Sequence, residues 1–361
     1  MKNDIEKLIE TLQGLGAPPS EIKAVLMPDF FLDHLVTYKG TLDSFKTDVT
    51  RIAEQGGGNI PDTKQTIQRG GNSANTASAL STLGISSYII SRTSPLGLFL
   101  LQHFLGNNVN LSHVKTDGKM ALTTVLELEY DQRKVNVMLG DPGSVCDFSF
   151  NSLTEDDLQL IKEADYVCVF NWNLNLHGTE LASKVFELVK KEGKGRTFFD
   201  TGDPSPRQGE INSLVEKVLR TRTIDVISLN ENEALWYASY FDERIKERRK
   251  NMRPVDLAIE CARILRDNLR TRIDLHTAKY TATFGQKECI VQTFAIPIQR
   301  VTGAGDAWNA TDIYGEIMRL DDAQRLLFAN AAAAYYISNP EGKHPTRTSV
   351  INFLKTQIEL C

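Results

Sequence analysis

The chain has 361 residues, 41% hydrophobic and 24% charged, with a formal net charge of −5 at pH 7, which allows a sizeable soluble core and argues against a nucleic-acid partner. Its one basic cluster, residues 244–250, is interrupted by Glu247 and preceded by Asp242 and Glu243, the make-up of a solvated charged helix or loop. Five cysteines (Cys146, Cys168, Cys261, Cys289, Cys361) without CxxC spacing fit reduced thiols, and the longest apolar run, 96–105, is too short to span a bilayer, so a cytoplasmic protein without a membrane partner is expected.

Residues 1–20 carry Ile5, Leu8, Ile9 and Leu12 at helical spacing, with Asn3 as a cap and Gly14 as a stop. This N-terminal extension is expected to pack on its own subunit, a homodimer contact being the sharper alternative. A first buried strand follows over 21–26, and Asp29 and Asp33 lie just past it, where open α/β sheets bind ligands. Either acid could instead cap a turn. Residues 36–68, among them the run 44–52, and residues 121–139 show partial alternation, the pattern of exposed antiparallel strands.

Gly70-Gly71-Asn72-Ser73-Ala74-Asn75 opens a helix through Leu83 that Gly84 closes. Its glycines let backbone approach a ligand, and Asn72 and Asn75 offer donors and acceptors to hydroxyl groups, or cap the helix. From Asp165 onward strands at 166–170, 197–199 and 226–229 alternate with helices at 180–191 and 211–219, the rhythm of a parallel sheet. Polar clusters follow those strands: Asn171-Trp172-Asn173, Asp200-Thr201-Gly202-Asp203 and Asn230-Glu231-Asn232-Glu233.

The last element is Val301-Thr302-Gly303-Ala304-Gly305-Asp306, a small-residue turn followed by a helix to about Met318. Backbone N–H groups at the start of a helix form an anion site, and Gly303 and Gly305 leave room for close approach. A carboxylate beside an anion site is repelled by phosphate unless it has a task, here to take a proton from an attacking hydroxyl. No GxxxxGK[ST] loop and no protein-kinase motif set is present.

These three motifs, in this order, resemble the two signatures and the N-x-x-E motif of the ribokinase (PfkB-type) family of carbohydrate kinases, over roughly residues 22–353. The resemblance implies an α/β fold, a Rossmann-like three-layer sandwich over residues 21–361 with a small β-sheet lid from about 36–68 and 121–139. It implies ATP-dependent phosphorylation of a sugar or cyclitol hydroxyl, with a nucleoside kinase or a catalytically silent binding relative as alternatives. Asp306 would be the general base, with the N–H groups of Gly303, Ala304 and Gly305 as the anion hole. Asp33, then Asp29, with Gly71, Asn72 and Asn75, would hold the acceptor.

Asn230 and Glu233 match N-x-x-E, which helps to place hydrated Mg²⁺ and phosphate, Glu233 acting through water. The run 281–285 resembles the family's T-x-G turn beside the nucleotide, so Thr283 and Gly285 are expected there, with Asn330 on the helix flanking the adenine. One departure stands out: the family has an acid, often tied to a monovalent cation, where this chain has Arg300. A guanidinium cannot ligate K⁺, so activity without K⁺ is expected. A second departure is Thr311-Asp312, where the family favours small residues.

Overall fold

Short runs of apolar residues, buried on both faces in the inner strands, build a nine-stranded central sheet. Its order is Glu288–Gln292, Tyr280–Phe284, Arg272–His276, Val226–Asn230, Arg196–Asp200, Tyr166–Phe170, Lys23–Met27, Ser86–Ile89, Val109–Asn110. Neighbours run parallel except at the Glu288 edge, where the last two strands are antiparallel. The computed structural model describes residues 2–300, 302–339 and 341–360, so Val301 and Cys361 lie outside the described residues.

Successive residues of Lys23–Met27 enter opposite cores. Ala24 and Leu26 pack with Phe30, Ala74, Ala331 and Leu354; Val25 and Met27 join the core of Phe186, Leu229 and Leu265. Helices cover both faces, which gives three layers. From Lys23–Met27 the chain first builds outward to one edge, then returns to the other side at Tyr166–Phe170. The order therefore reverses between these two strands, and the crevice beyond their carboxyl ends is where an open α/β sheet holds its ligand.

A four-stranded sheet, Lys64–Gly70, Phe31–Thr41, Ala121–Tyr130, Arg133–Asp141, grows from that edge. Phe31 pairs with Gly70, so the strand leaving the first central strand and the strand entering the Gly71 turn meet at the crevice. Residues 44–52 are not a strand here: they lie in the helix Leu42–Glu54. Phe45, Val49 and Ile52 fall at i, i+4, i+7, and the Thr41 hydroxyl accepts from the Ser44 N–H at 3.2 Å, so helical spacing and a cap outweigh the partial alternation.

The N-terminal helix Lys2–Gly14 begins before Asn3, which therefore lies in its first turn rather than capping it. Ile5, Leu8, Ile9 and Leu12 are buried against the chain's own Asp322–Ser338 and Arg347–Leu360 helices, and Gln324 Nε2 donates to Thr11 Oγ1 at 2.8 Å. Each such burial contributes roughly 1.5–3 kcal/mol, which holds the extension on its own body. Among the described residues no helix is long and apolar enough to cross a membrane.

Candidate active site

Register aligns Met27 with Val169, Phe170 with Asp200 and Asn230 with His276, so the polar residues after these strands share one edge of the sheet. The helix Ala304–Ile317 starts there. Gly303 caps it at φ +83°, and a Cβ on Gly303 would stand 2.7 Å from the Tyr336 hydroxyl, so both conformation and space demand glycine. Asp306, only 7% exposed, occupies the first turn, beside the N–H groups of Gly303, Ala304 and Gly305. Burial raises its carboxyl well above the usual range; the Asn75 hydrogen bond opposes the rise, Asp200 and Asp29 add to it, and Arg69 lowers it.

Asn75 Nδ2 donates to Asp306 Oδ2 at 2.8 Å, which joins the two glycine motifs across 231 residues of chain. Arg69 Nε in turn donates to Asn75 Oδ1 at 3.0 Å and so fixes the amide orientation. The other arm of Arg69 meets His344 Nδ1 at 3.1 Å, an atom that also lies 3.1 Å from Ser78 Oγ. Burial, then Arg69 and Arg300, lower the His344 pKa and favour the neutral ring, so its Nδ1 accepts from Arg69 Nη2 and from Ser78 Oγ. Neither Arg69 nor His344 stands in a motif; the chain brings them here from far apart, and no local pattern marks them.

The two acids after the first strand differ. Asp29 is fully buried and accepts from Asn72 N–H (2.7 Å), Ser73 N–H (3.0 Å), Ser73 Oγ (2.5 Å) and Asn171 Nδ2 (2.5 Å). Its lone pairs are taken up in capping the Asn72–Thr82 helix and bridging the crevice, so Asp29 is placed as a cap rather than as a ligand to substrate hydroxyls. Gly71, at φ +93°, would drive a Cβ to 2.9 Å from Asp29 Oδ2. Asp33 lies on the small sheet against Gly70, half-buried, its carboxyl pushed up to about 6 by burial against a Thr123 hydrogen bond. Asn72 is half-exposed, and its side chain has no hydrogen bond among the described residues.

A second group of acids faces the turn. Asp200 accepts from Gly202 N–H (3.0 Å) and from Asn309 Nδ2 (2.7 Å), and burial pushes it up to about 6. Asn230 and Glu233 form a reciprocal helix cap: Asn230 Oδ1 accepts from Glu233 N–H at 3.0 Å while Glu233 Oε2 accepts from Asn230 N–H at 2.9 Å. Glu233 is raised well above the carboxylate range by burial, then by Asp200 and Asp203. Carboxylates that raise one another are relieved by a cation, although among the described residues no three His, Cys, Asp or Glu side chains gather closely enough to hold a metal. That donor set fits Mg²⁺ with its water shell retained, held through water and phosphate oxygens rather than in a protein cage.

Of the expected nucleotide contacts, Thr283 and Gly285 lie away from Asp306, and the Asn330 side chain is engaged in the core. Thr283 is inside the antiparallel strand Tyr280–Phe284, paired with Asp274, and its hydroxyl donates to Asp274 Oδ1 at 2.5 Å. Gly285 follows at the opposite end of the sheet from Asp306, because Phe284 pairs with Ile273 near the start of a parallel strand. Asn330 is buried, accepting from Trp308 Nε1 at 3.0 Å and donating to the Gln292 carbonyl at 3.1 Å, a tie that engages both ends of its amide.

His276, not foreseen, stands at the carboxyl end of Arg272–His276 instead. Its ring lies 5.2 Å from that of Trp308, its Cε1 would be 3.3 Å from a Cβ on Gly305, and its Nε2 has no partner among the described residues. Burial pushes His276 down to about 4, so a neutral imidazole backs the turn. Its place at a strand's carboxyl end is the signal that could have found it.

Fold and site together define a ribokinase-like α/β phosphotransferase. A family model of the pfkB carbohydrate kinases matches residues 40–349, and the chain belongs to that family, whose members transfer phosphate to an alcohol group of a small molecule. Among solved structures the chain is similar to the Arabidopsis thaliana ribokinase complexed with ribose and ATP (20% identity, 94% of this chain and 99% of that one covered, TM-score 0.64). It is similar also to adenosine kinase from Sinorhizobium meliloti (13%, 94% and 100%, 0.68) and to a putative ribokinase II from E. coli in complex with ATP and Mg²⁺ (14%, 93% and 100%, 0.66). No curated protein matches the chain.

Proposed function

We propose that this chain transfers the γ-phosphoryl group of ATP to a hydroxyl of a small polyhydroxylated acceptor, a sugar or cyclitol before a nucleoside. The observation that carries the reading is Asp306, buried at the positive end of its helix behind the Gly303 turn and oriented by Asn75. Asp306 takes the acceptor's proton as the acceptor oxygen bonds to the γ-phosphorus and the bond to the β,γ-bridging oxygen breaks, ADP leaving with the electron pair. N–H groups of Gly303, Ala304 and Gly305 stabilise the charge on the transferring group. Asp33, Gly71 and Asn72 hold the acceptor, and the small sheet serves as the lid that keeps water from competing for the phosphoryl group.

Similar kinases solved with ATP, one of them with Mg²⁺, support ATP as donor. Glu233, with Asp200 beside it, would hold Mg²⁺ through water; bound Mg²⁺ supplies charge neutralisation on the phosphates. A cytoplasmic setting is part of the proposal, supported by free thiols at Cys146, Cys168, Cys261 and Cys289. The test is ATP consumption with Mg²⁺ across sugars, cyclitols, sugar acids, sugar phosphates and nucleosides. Turnover on one class supports the proposal; no turnover with any member contradicts it.

Arg300 donates to Gln68 Oε1 at 2.9 Å and packs its guanidinium directly against the backbone of Gly342, a fixed charge at the position where the family has an acid. Rates in K⁺ and in tetramethylammonium are therefore expected to agree within about twofold, since a guanidinium at this position cannot ligate K⁺. A strong rise in rate with K⁺ would contradict this.

A further inference from the structure

Arg69 and Arg300 have no carboxylate within ion-pair distance among the described residues, unlike Arg325 and Arg272, which do. Both are half-buried, and each opposes the other's charge. Arg300 is held by Gln68, by the Tyr336 ring 4.8 Å from its guanidinium and by the Gly342 backbone, while its Nε is buried without a partner. The same tyrosine ring stacks on His344 at 4.8 Å, and His344, 93% buried by its 7% exposure, leaves Nε2 without a partner. Two guanidiniums held rigidly near each other, attracted by Asp306 and Asp33 only from beyond ion-pair distance, leave positive charge that a bound anion would neutralise.

Their place says which anion. Gln68, the residue that holds Arg300, pairs across strands with Asp33, and Arg69 reaches Asp306 only through Asn75. Both guanidiniums therefore stand on the small-sheet side of Asp306, where the acceptor is held, while the phosphates of ATP have the N–H groups of the Gly303 turn. Resting on the kinase reading above, the geometry points to an acceptor that carries a carboxylate or phosphate group, gripped by Arg69 and Arg300, with its reacting hydroxyl at Asp306. The acceptor class is thus a sugar acid or a sugar phosphate, not a neutral sugar or a nucleoside.

The test compares D-gluconate, D-glucuronate and D-fructose 6-phosphate with D-fructose, D-ribose, myo-inositol and adenosine, in the wild-type protein and in Arg300→Gln. The expected result is a kcat/KM for one anionic compound about 10–100-fold above every neutral one. In Arg300→Gln the KM for that compound rises about 10–100-fold while the KM for ATP stays within twofold. The carboxylate and phosphate arms of the panel tell the two sources of the anion apart. A neutral compound turned over best, or a variant that shifts the KM for ATP instead, overturns the inference. Thermal shift with the same compounds separates it from the kinase reading. Binding of an anionic compound that Arg300→Gln abolishes, without turnover, removes the kinase reading and keeps the anion site; binding of neutral compounds alone removes the anion site.

Discussion

Asp306→Asn is expected to lower kcat by about 10²–10⁴-fold, the usual worth of a positioned general base, while leaving ligand binding measurable. Asparagine keeps the shape of the side chain and can still accept from Asn75 Nδ2, but it cannot take a proton. The same change is expected to stabilise the fold. The Asp306 carboxyl is raised above its ordinary 3.8, so the folded state holds the proton more tightly than the unfolded one. Stability is then lost as pH rises from the unfolded value through the folded one, and removing the charge restores it at neutral pH. Thermal denaturation should show Tm higher by roughly 1–4 °C at pH 7, the gain shrinking towards pH 4. Wild-type kcat, correspondingly, should rise with pH through the Asp306 titration. A variant that keeps more than a tenth of wild-type kcat would remove Asp306 from the chemistry.

Arg325→Met is expected to cost about 3–5 kcal/mol, since it strands buried carboxylates without their partner. Arg325, 2% exposed, contacts Asp312 through Nη1 at very short range, Asp274 at 3.2 Å and Asp322 at 3.1 Å. Gly315 makes room for it: a Cβ there would lie 2.8 Å from Arg325 Cγ. Burial raises Asp274, but Arg272 and Arg325 outweigh burial and hold it down to about 2. Asp312 is pushed up by burial, with Arg325 and Arg272 opposing the rise and Asp274 adding to it.

Two outcomes follow from that asymmetry. Arg325→Met should lower Tm by roughly 5–15 °C, whereas Asp312→Asn, which keeps the shape of the carboxylate that burial raises and removes its charge, should cost less than about 1.5 kcal/mol. Equal losses in the two variants, read by urea unfolding, would contradict the assignment. This network also accounts for Asp312 where the family favours a small residue: it ties the helix carrying Asp306 to the Asp322–Ser338 helix and to the strand that ends at His276.

Much of the architecture was legible because its signals are local. Alternation and burial mark the strands from 166 to 229, Gly84 ends its helix, and the glycine turn at 303–305 announces the helix that follows. The contact of Asn75 with Asp306 joins two motifs that sequence had read separately. What escaped depends on register and distance. The 281–285 run has the local pattern of a nucleotide turn, yet antiparallel pairing with 273–276 carries Gly285 to the far edge. Asp29 and Asp33 look alike in sequence; only the folded chain shows that four donors converge on Asp29. Arg69, Arg300, Tyr336 and His344 meet across more than 270 residues, and no spacing rule predicts that.

The central claim, phosphoryl transfer from ATP to a hydroxyl at Asp306, is tested most directly by phosphorus NMR of the products. ATP, Mg²⁺ and the best acceptor of the panel are incubated with wild-type protein and with Asp306→Asn. The account predicts ADP and a new phosphate-monoester signal, in equal amounts, from the wild type and almost none from the variant. ADP with inorganic phosphate alone, or the same monoester yield from both proteins, would contradict it.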